Sequence, residues 1–197
     1  GVEAIVVPNI VDTAQFAPKR IAHERFTFVS AGNLIPVKNM AELLHAFAAL
    51  HGEPRLIIFG DGPESGALRA LCAELGLYSR VSFRGHCPRE KLAEAYADCF
   101  VLASRSETFG VAYIEAMAAG LPVIATRCGG PEDFVTEENG ILIPVDDEDA
   151  LTGAMEHMML RREDYDSAAI SADIRRKFAP ETIAARLTEL YEGVLSC

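Results

Sequence analysis

The chain has 197 residues, of which 50% are hydrophobic and 24% charged, and its formal net charge is −11. This length suits one domain with its own core, while the negative charge argues against a nucleic-acid surface and against electrostatic docking on anionic lipid. No apolar run approaches the roughly 20 residues that cross a bilayer. The five cysteines are odd in number and lack a CxxC pair. They indicate reduced thiols of a cytosolic protein and no metal centre.

Apolar runs alternate with helical patterns along most of the chain, which is typical of a parallel sheet wrapped by helices. The near-continuous hydrophobicity of the runs predicts strands that are covered on both faces. The fold class predicted is therefore α/β, a Rossmann-like three-layer α/β/α arrangement with a mostly parallel six-stranded sheet. The six predicted strands are 26–31, 55–59, 81–84, 99–103, 123–126 and 141–143.

Helical spacing of apolar residues predicts helices between these strands, and beyond the last strand the pattern is helical only. We interpret residues 1–197 as a single domain, with a hinge segment at 1–24 and appended helices over 147–197. The predicted helices are 38–51, 63–75, 89–97, 111–119, 148–160, 164–177 and 180–195.

Two acids lie eight residues apart after the fourth predicted strand. Glu107 falls in the loop, Gly110 opens a run of helix formers, and Glu115 falls inside that helix. The free N–H groups of a helix start attract phosphate oxygens, and carboxylates accept strong hydrogen bonds from sugar hydroxyls. The alanine-rich helix should be buried, so Glu115 needs polar partners, and a ribose diol would supply two. This arrangement predicts a nucleotide-sugar site.

The ends of the first and second strands carry further candidates. Gly32 lets a ligand approach the backbone, and Lys38 is expected to open the next helix, where a bound anion would offset its unfavourable position. The Gly60 and Gly62 segment is not a dinucleotide fingerprint, because Ser65 replaces the third glycine and no acid follows about 20 residues later. These two glycines fit either a tight turn or a ligand wall.

Two other loops at the same rim are open to more than one interpretation. His86 follows the third strand and fits a wall for a nucleotide base, an acid or base, or an ordinary exposed histidine. The Gly129-Gly130 pair after the fifth strand either closes over a ligand or makes a simple turn.

Taken in order, these segments resemble the C-terminal, donor-binding half of GT-B glycosyltransferases in the retaining family four, the glycosyl transferases group 1. The resemblance covers nearly the whole chain, and its motifs are weak singly but specific in combination. They are residues 6–12, 60–63, 83–85, 97–98, Ser104, the Glu107 and Glu115 pair, 120–123 and 129–130.

The resemblance implies a role for each candidate residue. Glu107 and Lys38 would be the catalytic pair: Glu107 contacts donor-sugar hydroxyls, and Lys38 stabilises charge on the departing diphosphate. Glu115 would hold the ribose, and His86 and Cys87 would line the base. The remaining donor-binding residues implied are Gly32, Asn33, Gly60, Gly62, Thr108, Phe109, Gly110 and Val111.

The resemblance also implies a reaction: transfer of a hexosyl group from a nucleoside diphosphate sugar, with retained configuration and without an obligatory metal or cofactor. The donor nucleotide expected first is UDP, with GDP or ADP as alternatives. The acceptor site would belong to an N-terminal domain absent from this chain. The expected location is the cytoplasm, with peripheral membrane attachment through that domain as an option. The isolated domain is expected to bind its donor weakly without catalysing transfer.

One residue departs from the family's pattern. The family usually has an arginine where this chain has Asn33, and asparagine lacks both the charge and the bidentate fork. This departure leaves open a degenerate, non-catalytic binding or scaffolding module. A separate alternative within the enzymes is another GT-B member, such as a nucleotide-sugar epimerase or a phosphorylase.

Overall fold

The computed structural model describes residue 5 and residues 7–16, 24–87 and 97–195. In this part of the chain, six strands form one parallel sheet in the order β3-β2-β1-β4-β5-β6. The strands are β1 (Thr27–Ala31), β2 (Arg55–Phe59), β3 (Val81–Gly85), β4 (Cys99–Leu102), β5 (Val123–Thr126) and β6 (Gly140–Ile143).

Six α-helices accompany this sheet in the described residues. Short 3₁₀ turns, among them Pro36–Lys38 and Gly130–Asp133, separate strands from helices at the rim. The helices are α1 (Met40–Ala49), α2 (Ser65–Glu74), α3 (Val111–Ala118), α4 (Glu148–Arg161), α5 (Ser167–Phe178) and α6 (Pro180–Leu195).

The order of the strands places helices on both faces of the sheet. From β1 the chain steps outward to β2 and β3, then continues on the other side of β1 with β4, β5 and β6. Right-handed crossovers in opposite directions put α1 and α3 on opposite faces. Helix α1 packs against α4, and α3 packs against α5. The predicted three-layer Rossmann-like fold is confirmed, and its switch point between β1 and β4 is where such sheets bind ligands.

Aromatic side chains fill the core on both faces. Phe28 of β1 is fully buried and meets Phe47 of α1 edge-on, with ring centroids 6.4 Å apart. On the other face, Phe100 of β4 meets Tyr113 of α3 at 5.3 Å. Edge-to-face pairs at these separations add to the burial of apolar area that holds each helix on the sheet.

Arg162 joins the C-terminal helices to the sheet. Only 7% of this residue is exposed. Its Nε donates to the carbonyl oxygen of Asp98 at 2.6 Å, and its two Nη groups donate to the Tyr165 carbonyl oxygen and the Ser167 hydroxyl at 2.9 and 2.8 Å. A buried guanidinium is tolerated because its donors are satisfied, and the bonds fix the start of α5 beside the start of β4.

Residues 11–16 of the predicted hinge segment pack on the domain. Val11 and Phe16 are each 3% exposed. The backbone N–H of Val11 donates to the carbonyl oxygen of Phe178, and Arg175 donates to the carbonyl oxygen of Phe16. Residues 11–16 are therefore held by α5, which the sequence did not indicate.

Three predicted helix starts are too early. Helix α1 begins at Met40 rather than at Lys38, because Asn39 adopts left-handed backbone angles with a φ of 51° and separates the 3₁₀ turn from the helix. Helix α5 begins after Asp166, whose carboxylate caps the N–H groups of Ala168 and Ala169. Helix α2 begins at Ser65, two residues after the predicted start.

Of the predicted helix 89–97, residues 89–96 lie outside the described residues. No helix in the described ranges is both long enough and apolar enough to traverse a bilayer.

Candidate functional site

The loops after β1, β2 and β3 are packed backbone to backbone at one rim of the sheet. The N–H of Gly60 donates to the carbonyl oxygen of Gly85 at 2.8 Å, and the N–H of Gly32 donates to that of Phe59 at 3.1 Å. Gly60 has a φ of +133°, and a Cβ built on it would lie 1.8 Å from the carbonyl oxygen of Gly32. Only glycine fits there.

Gly62 makes a similar close approach to the loop after β1. A Cβ at this position would lie 2.5 Å from the carbonyl oxygen of Leu34, and the N–H of Leu34 donates to the carbonyl oxygen of Asp61 at 2.9 Å. Packing between loops accounts for both Gly60 and Gly62. Of the two interpretations that the sequence left open, these contacts support the tight turn.

Lys38 reaches across the rim and contacts Glu107. Its Nζ lies 2.6 Å from Oε1 of Glu107, and the two side chains are 20% and 10% exposed. The stem of Lys38 runs past Gly32, where a Cβ would lie 3.7 Å from the lysine Cε. The structure thus joins two residues that are 69 positions apart and for which the resemblance implied separate roles.

Ser104 is the second partner of the Glu107 carboxylate. Its hydroxyl donates to Oε1 of Glu107 at 2.7 Å, and the residue is fully buried. The hydroxyl of Thr126 donates to the carbonyl oxygen of Ser104, which fixes its backbone. In the sequence, Ser104 is predicted only as part of a family motif. Its position three residues before the acid, directly after a strand, was the available signal.

The Gly129-Gly130 pair packs behind the Glu107 loop. The N–H of Glu107 donates to the carbonyl oxygen of Cys128 at 3.1 Å, and the N–H of Gly130 donates to that of Glu107 at 2.8 Å. A Cβ on Gly130 would lie 2.5 Å from the backbone of Phe109. The two glycines therefore set the position of the loop that carries Glu107.

Helix α3 begins directly after this loop with a glycine. Gly110 has a φ of +89° and caps the helix with its carbonyl oxygen, which accepts from the N–H groups of Tyr113 and Ile114. The first N–H groups of a helix, here those of Val111 and Ala112, have no partner within the helix and are donors for an anion. Thr108, in the loop, is exposed.

Aromatic side chains hold α3 and the preceding loop in place, Tyr113 through a hydrogen bond and Phe109 through ring contacts. The hydroxyl of Tyr113 donates to the carbonyl oxygen of Leu102 at 2.8 Å. Burial raises the pKa of Tyr113 well above its ordinary value, and the negative charge of Glu107 adds to the rise. The ring of Phe109 lies 6.3 Å from that of Phe134 and 5.7 Å from that of Phe178, which are themselves 5.8 Å apart.

Glu115 lies about one turn after Val111, the first residue of α3, and only 8% of the residue is exposed. It lines a recess of about 30 Å³ whose other walls are mainly apolar and come from β1, β4 and α3, with Phe16 at one side. The expectation that this helix is buried is correct. The recess therefore holds one carboxylate among apolar side chains of the sheet and of α3.

The remaining predicted residues lie at the rim, but the contacts described do not join them to Lys38 or Glu107. Asn33 is exposed, and its carbonyl oxygen accepts from the N–H of Ile35 at 2.9 Å. His86 is exposed directly after Gly85, and Cys87 is a half-buried free thiol.

Arg105 ties the loop of Glu107 to the turn that carries Lys38. Its Nε donates to Oδ1 of Asp146 at 2.7 Å, and its Nη1 donates to the carbonyl oxygen of Pro36 at 3.3 Å. The backbone N–H of Arg105 donates to the carbonyl oxygen of Val37. Arg105 was not among the predicted residues, because its partners come from two other loops.

Two Asp-x-Asp triplets occur in the chain, at 147–149 and 164–166, and both belong to helix starts. Asp147 accepts the N–H of Ala150 at 2.9 Å, and Asp166 caps α5. The described residues contain no group of three or more histidine, cysteine, aspartate or glutamate side chains placed to hold a metal ion.

A larger cavity lies away from this rim, between the edge strand β6 and helix α4. It measures about 680 Å³, and its polar lining includes Arg127, Glu137 and His157. Thr136 and Tyr165 also line it. None of the residues predicted for the site is among its walls.

The family model for the glycosyl transferases group 1 matches residues 11–174 of this chain. The chain belongs to this family of glycosyltransferases, and the predicted membership is confirmed.

Two curated relatives illustrate the similarity. A GDP-mannose-dependent alpha-(1-6)-phosphatidylinositol monomannoside mannosyltransferase from Mycolicibacterium smegmatis is 31% identical over 215 aligned residues, covering 95% of this chain and 56% of that protein. A GDP-mannose-dependent alpha-mannosyltransferase from Mycobacterium tuberculosis is 35% identical over 167 residues, covering 83% and 42%. The chain therefore spans about half the length of the curated relatives that it matches.

Solved structures show the same fold. Sucrose-phosphate synthase from Thermosynechococcus elongatus is 27% identical with a TM-score of 0.85, covering 96% of this chain and 52% of that one. HepE from Anabaena, solved in complex with UDP and glucose, has a TM-score of 0.84 at 23% identity, covering 96% and 57%.

Proposed function

We propose that this chain is the donor-binding half of a retaining glycosyltransferase that uses a nucleoside diphosphate hexose. The observation that carries the proposal is the joining of Lys38, Glu107 and the start of α3 at one rim of the sheet. A cation, a carboxylate and free helix N–H groups match a ligand that combines phosphates with hydroxyls.

In this proposal, Lys38 and the first N–H groups of α3 bind the diphosphate. Negative charge accumulates on the diphosphate as the bond from the anomeric carbon to the phosphate oxygen breaks. Fixed positive groups at that point stabilise the transition state more than the ground state, which is the electrostatic requirement of glycosyl transfer.

Glu107 serves the sugar and Glu115 serves the ribose. The Glu107 carboxylate accepts hydrogen bonds from donor-sugar hydroxyls and orients the anomeric carbon. Glu115, with 8% of the residue exposed, accepts the ribose hydroxyls. We place the base against the loop of His86 and Cys87.

The reaction we propose proceeds on one face of the sugar. The acceptor oxygen forms the new bond to the anomeric carbon on the side from which the diphosphate leaves, and its proton passes to a phosphate oxygen. This retains the configuration without a covalent enzyme intermediate or a metal ion. We assign acceptor recognition to the part of the relatives' length that this chain does not span.

Calorimetric titration of the chain with UDP, GDP and ADP, followed by the hexose conjugates of the best binder, tests the proposal. We expect one nucleoside diphosphate to bind and its sugar conjugate to bind more tightly. The names of two relatives support including GDP-mannose, and the HepE complex supports including UDP-glucose. Failure of every nucleotide to bind would contradict the proposal and favour the degenerate module, the alternative that Asn33 in place of the usual arginine leaves open.

A further inference from the structure

The Glu107 carboxylate has two partners that bind the same oxygen. Lys38 Nζ and the Ser104 hydroxyl both lie within 2.7 Å of Oε1. In the described part of the chain no hydrogen bond or ion pair is made to the second carboxylate oxygen, Oε2, so this oxygen is left for a ligand. The carboxylate is thus fixed from one side and open on the other.

The two partners differ in how firmly they are held. Ser104 is fully buried, and its carbonyl oxygen accepts from Thr126. Lys38 sits on a four-carbon stem that passes over the bare backbone of Gly32, and its ammonium is partly exposed. Lysine can therefore change partner by rotating its stem, whereas the serine cannot.

We infer that donor binding exchanges the partner of Lys38, from the Glu107 carboxylate to the diphosphate, and that Ser104 is the positioning residue that keeps Glu107 in place after the exchange. This inference rests on the proposed function. A diphosphate carries more negative charge than one carboxylate, so it attracts the ammonium more strongly at contact. In the free protein Glu107 is therefore the counter-ion of Lys38, and the diphosphate takes over that role when the donor binds.

The exchange makes an unusual prediction: removing the charge of Glu107 should tighten the binding of a nucleoside diphosphate that carries no sugar. Glu107→Gln keeps an oxygen for Ser104 to bond but leaves Lys38 without its carboxylate. We expect UDP or GDP, whichever the wild type binds, to bind Glu107→Gln about threefold to tenfold more tightly, the range of a partly buried ion pair. In a Lys38→Ala background the same substitution should change nothing.

Calorimetry on the wild type, both single variants and the double variant measures this coupling. Unchanged or weaker binding by Glu107→Gln, when the wild type does bind, overturns the exchange and leaves the proposed function standing. Absence of nucleotide binding by the wild type itself overturns both.

Ser104→Ala tests the positioning role separately. We expect it to leave the affinity for the nucleoside diphosphate within about twofold but to lower the affinity for the nucleotide sugar about tenfold, since a hydrogen bond to a charged group is lost. Ser171→Ala is the matched control, because it removes another buried hydroxyl, which donates to the carbonyl oxygen of Ala118. Equal losses for both ligands, or the same pattern in Ser171→Ala, would overturn the role of Ser104.

A measurement on the wild type covers the case in which Ser104→Ala does not fold. The ¹³C carboxyl resonance of Glu107, assigned by its disappearance in Glu107→Gln, should shift when UDP or GDP saturates the protein, because Lys38 leaves. A resonance that stays fixed at saturation overturns the exchange.

Discussion

The rim around Lys38 and Glu107 and the cavity beside β6 differ in what holds their polar groups. At the rim, side chains and backbone from the loops after β1, β4 and β5 bond to one another, with Lys38, Ser104 and Gly130 all contacting Glu107. The cavity beside β6 is large, about 680 Å³, but its lining shares no residue with this network.

The difference shows that volume and preorganisation are separate properties of a protein surface. A ligand that is charged and hydroxylated needs fixed donors and acceptors more than it needs space, because ordering those groups upon binding costs free energy. By this reasoning we propose the smaller, connected rim as the binding site and attribute the larger cavity to the packing of α4 against an edge strand. The following variants test the comparison.

The largest effect is expected for Gly130→Ala at the rim. The new Cβ would lie 2.5 Å from the backbone of Phe109, so the loop that carries Glu107 has to move, at a cost of about 3 kcal/mol in unfolding free energy. Gly153 lies in the helix that lines the β6 cavity, and a Cβ built on it would have no atom within 4 Å. Gly153→Ala should therefore raise the free energy of unfolding by about 0.5 kcal/mol. Urea unfolding followed by circular dichroism measures both. Equal stability of the two variants would remove the structural role of the glycine pair.

The next effect concerns ligand binding by two glutamates. Glu115→Gln should weaken nucleotide binding about thirtyfold, because an amide cannot replace a carboxylate that accepts two ribose hydroxyls. Glu137→Gln, in the wall of the β6 cavity, should leave it unchanged. Titration calorimetry with UDP and GDP measures the affinity of both variants. A loss in Glu137→Gln instead would move the site to β6.

A smaller effect is expected from the two cations. Lys38→Ala should weaken the binding of a nucleoside diphosphate about tenfold, because one charge-assisted contact to phosphate is lost while the helix N–H groups remain. Arg127→Ala, at the β6 cavity, is the control and should bind as the wild type does. Fluorescence competition at two salt concentrations measures the difference, which should shrink at high salt.

The smallest effect is a pH-dependent change in stability next to the rim. Burial raises the pKa of Glu42 above its ordinary 4.5, in spite of a hydrogen bond from Asn39. The folded state therefore holds this proton more tightly, and ionised Glu42 lowers stability at higher pH. Glu42→Gln should raise the free energy of unfolding by about 0.5 kcal/mol at pH 7, and this increase should vanish as the pH falls below 4.5. Unfolding curves at pH 7 and pH 4 test the sign.

Much of the fold could be predicted from the sequence, because most strands are short apolar runs and the helices carry apolar residues at helical spacing. Strands 55–59 and 123–126 match the observed β2 and β5. The start of α1 could not be predicted, since the left-handed conformation of Asn39 depends on the packing of the rim.

The geometry of the candidate site could be predicted only in part, for a similar reason. The position of Lys38 and Glu107 at strand ends follows from the sheet, but their contact depends on loop geometry that no local pattern encodes. The same holds for Arg105, whose two acceptors come from different loops. The close approach of Gly60 to Gly32 is likewise visible only once β1 and β2 are paired.

The rings of Phe109, Phe134 and Phe178 have a consequence for anyone who shortens or recombines this protein. Phe178 ends α5, so the last third of the chain supplies one wall of the support for the loop beside Glu107. A chimaera that joins the strands of one relative to the helical tail of another would place a different side chain against Phe109 and Phe134 and so disturb this packing. Exchange of donor preference between relatives should therefore carry the tail along with the loops.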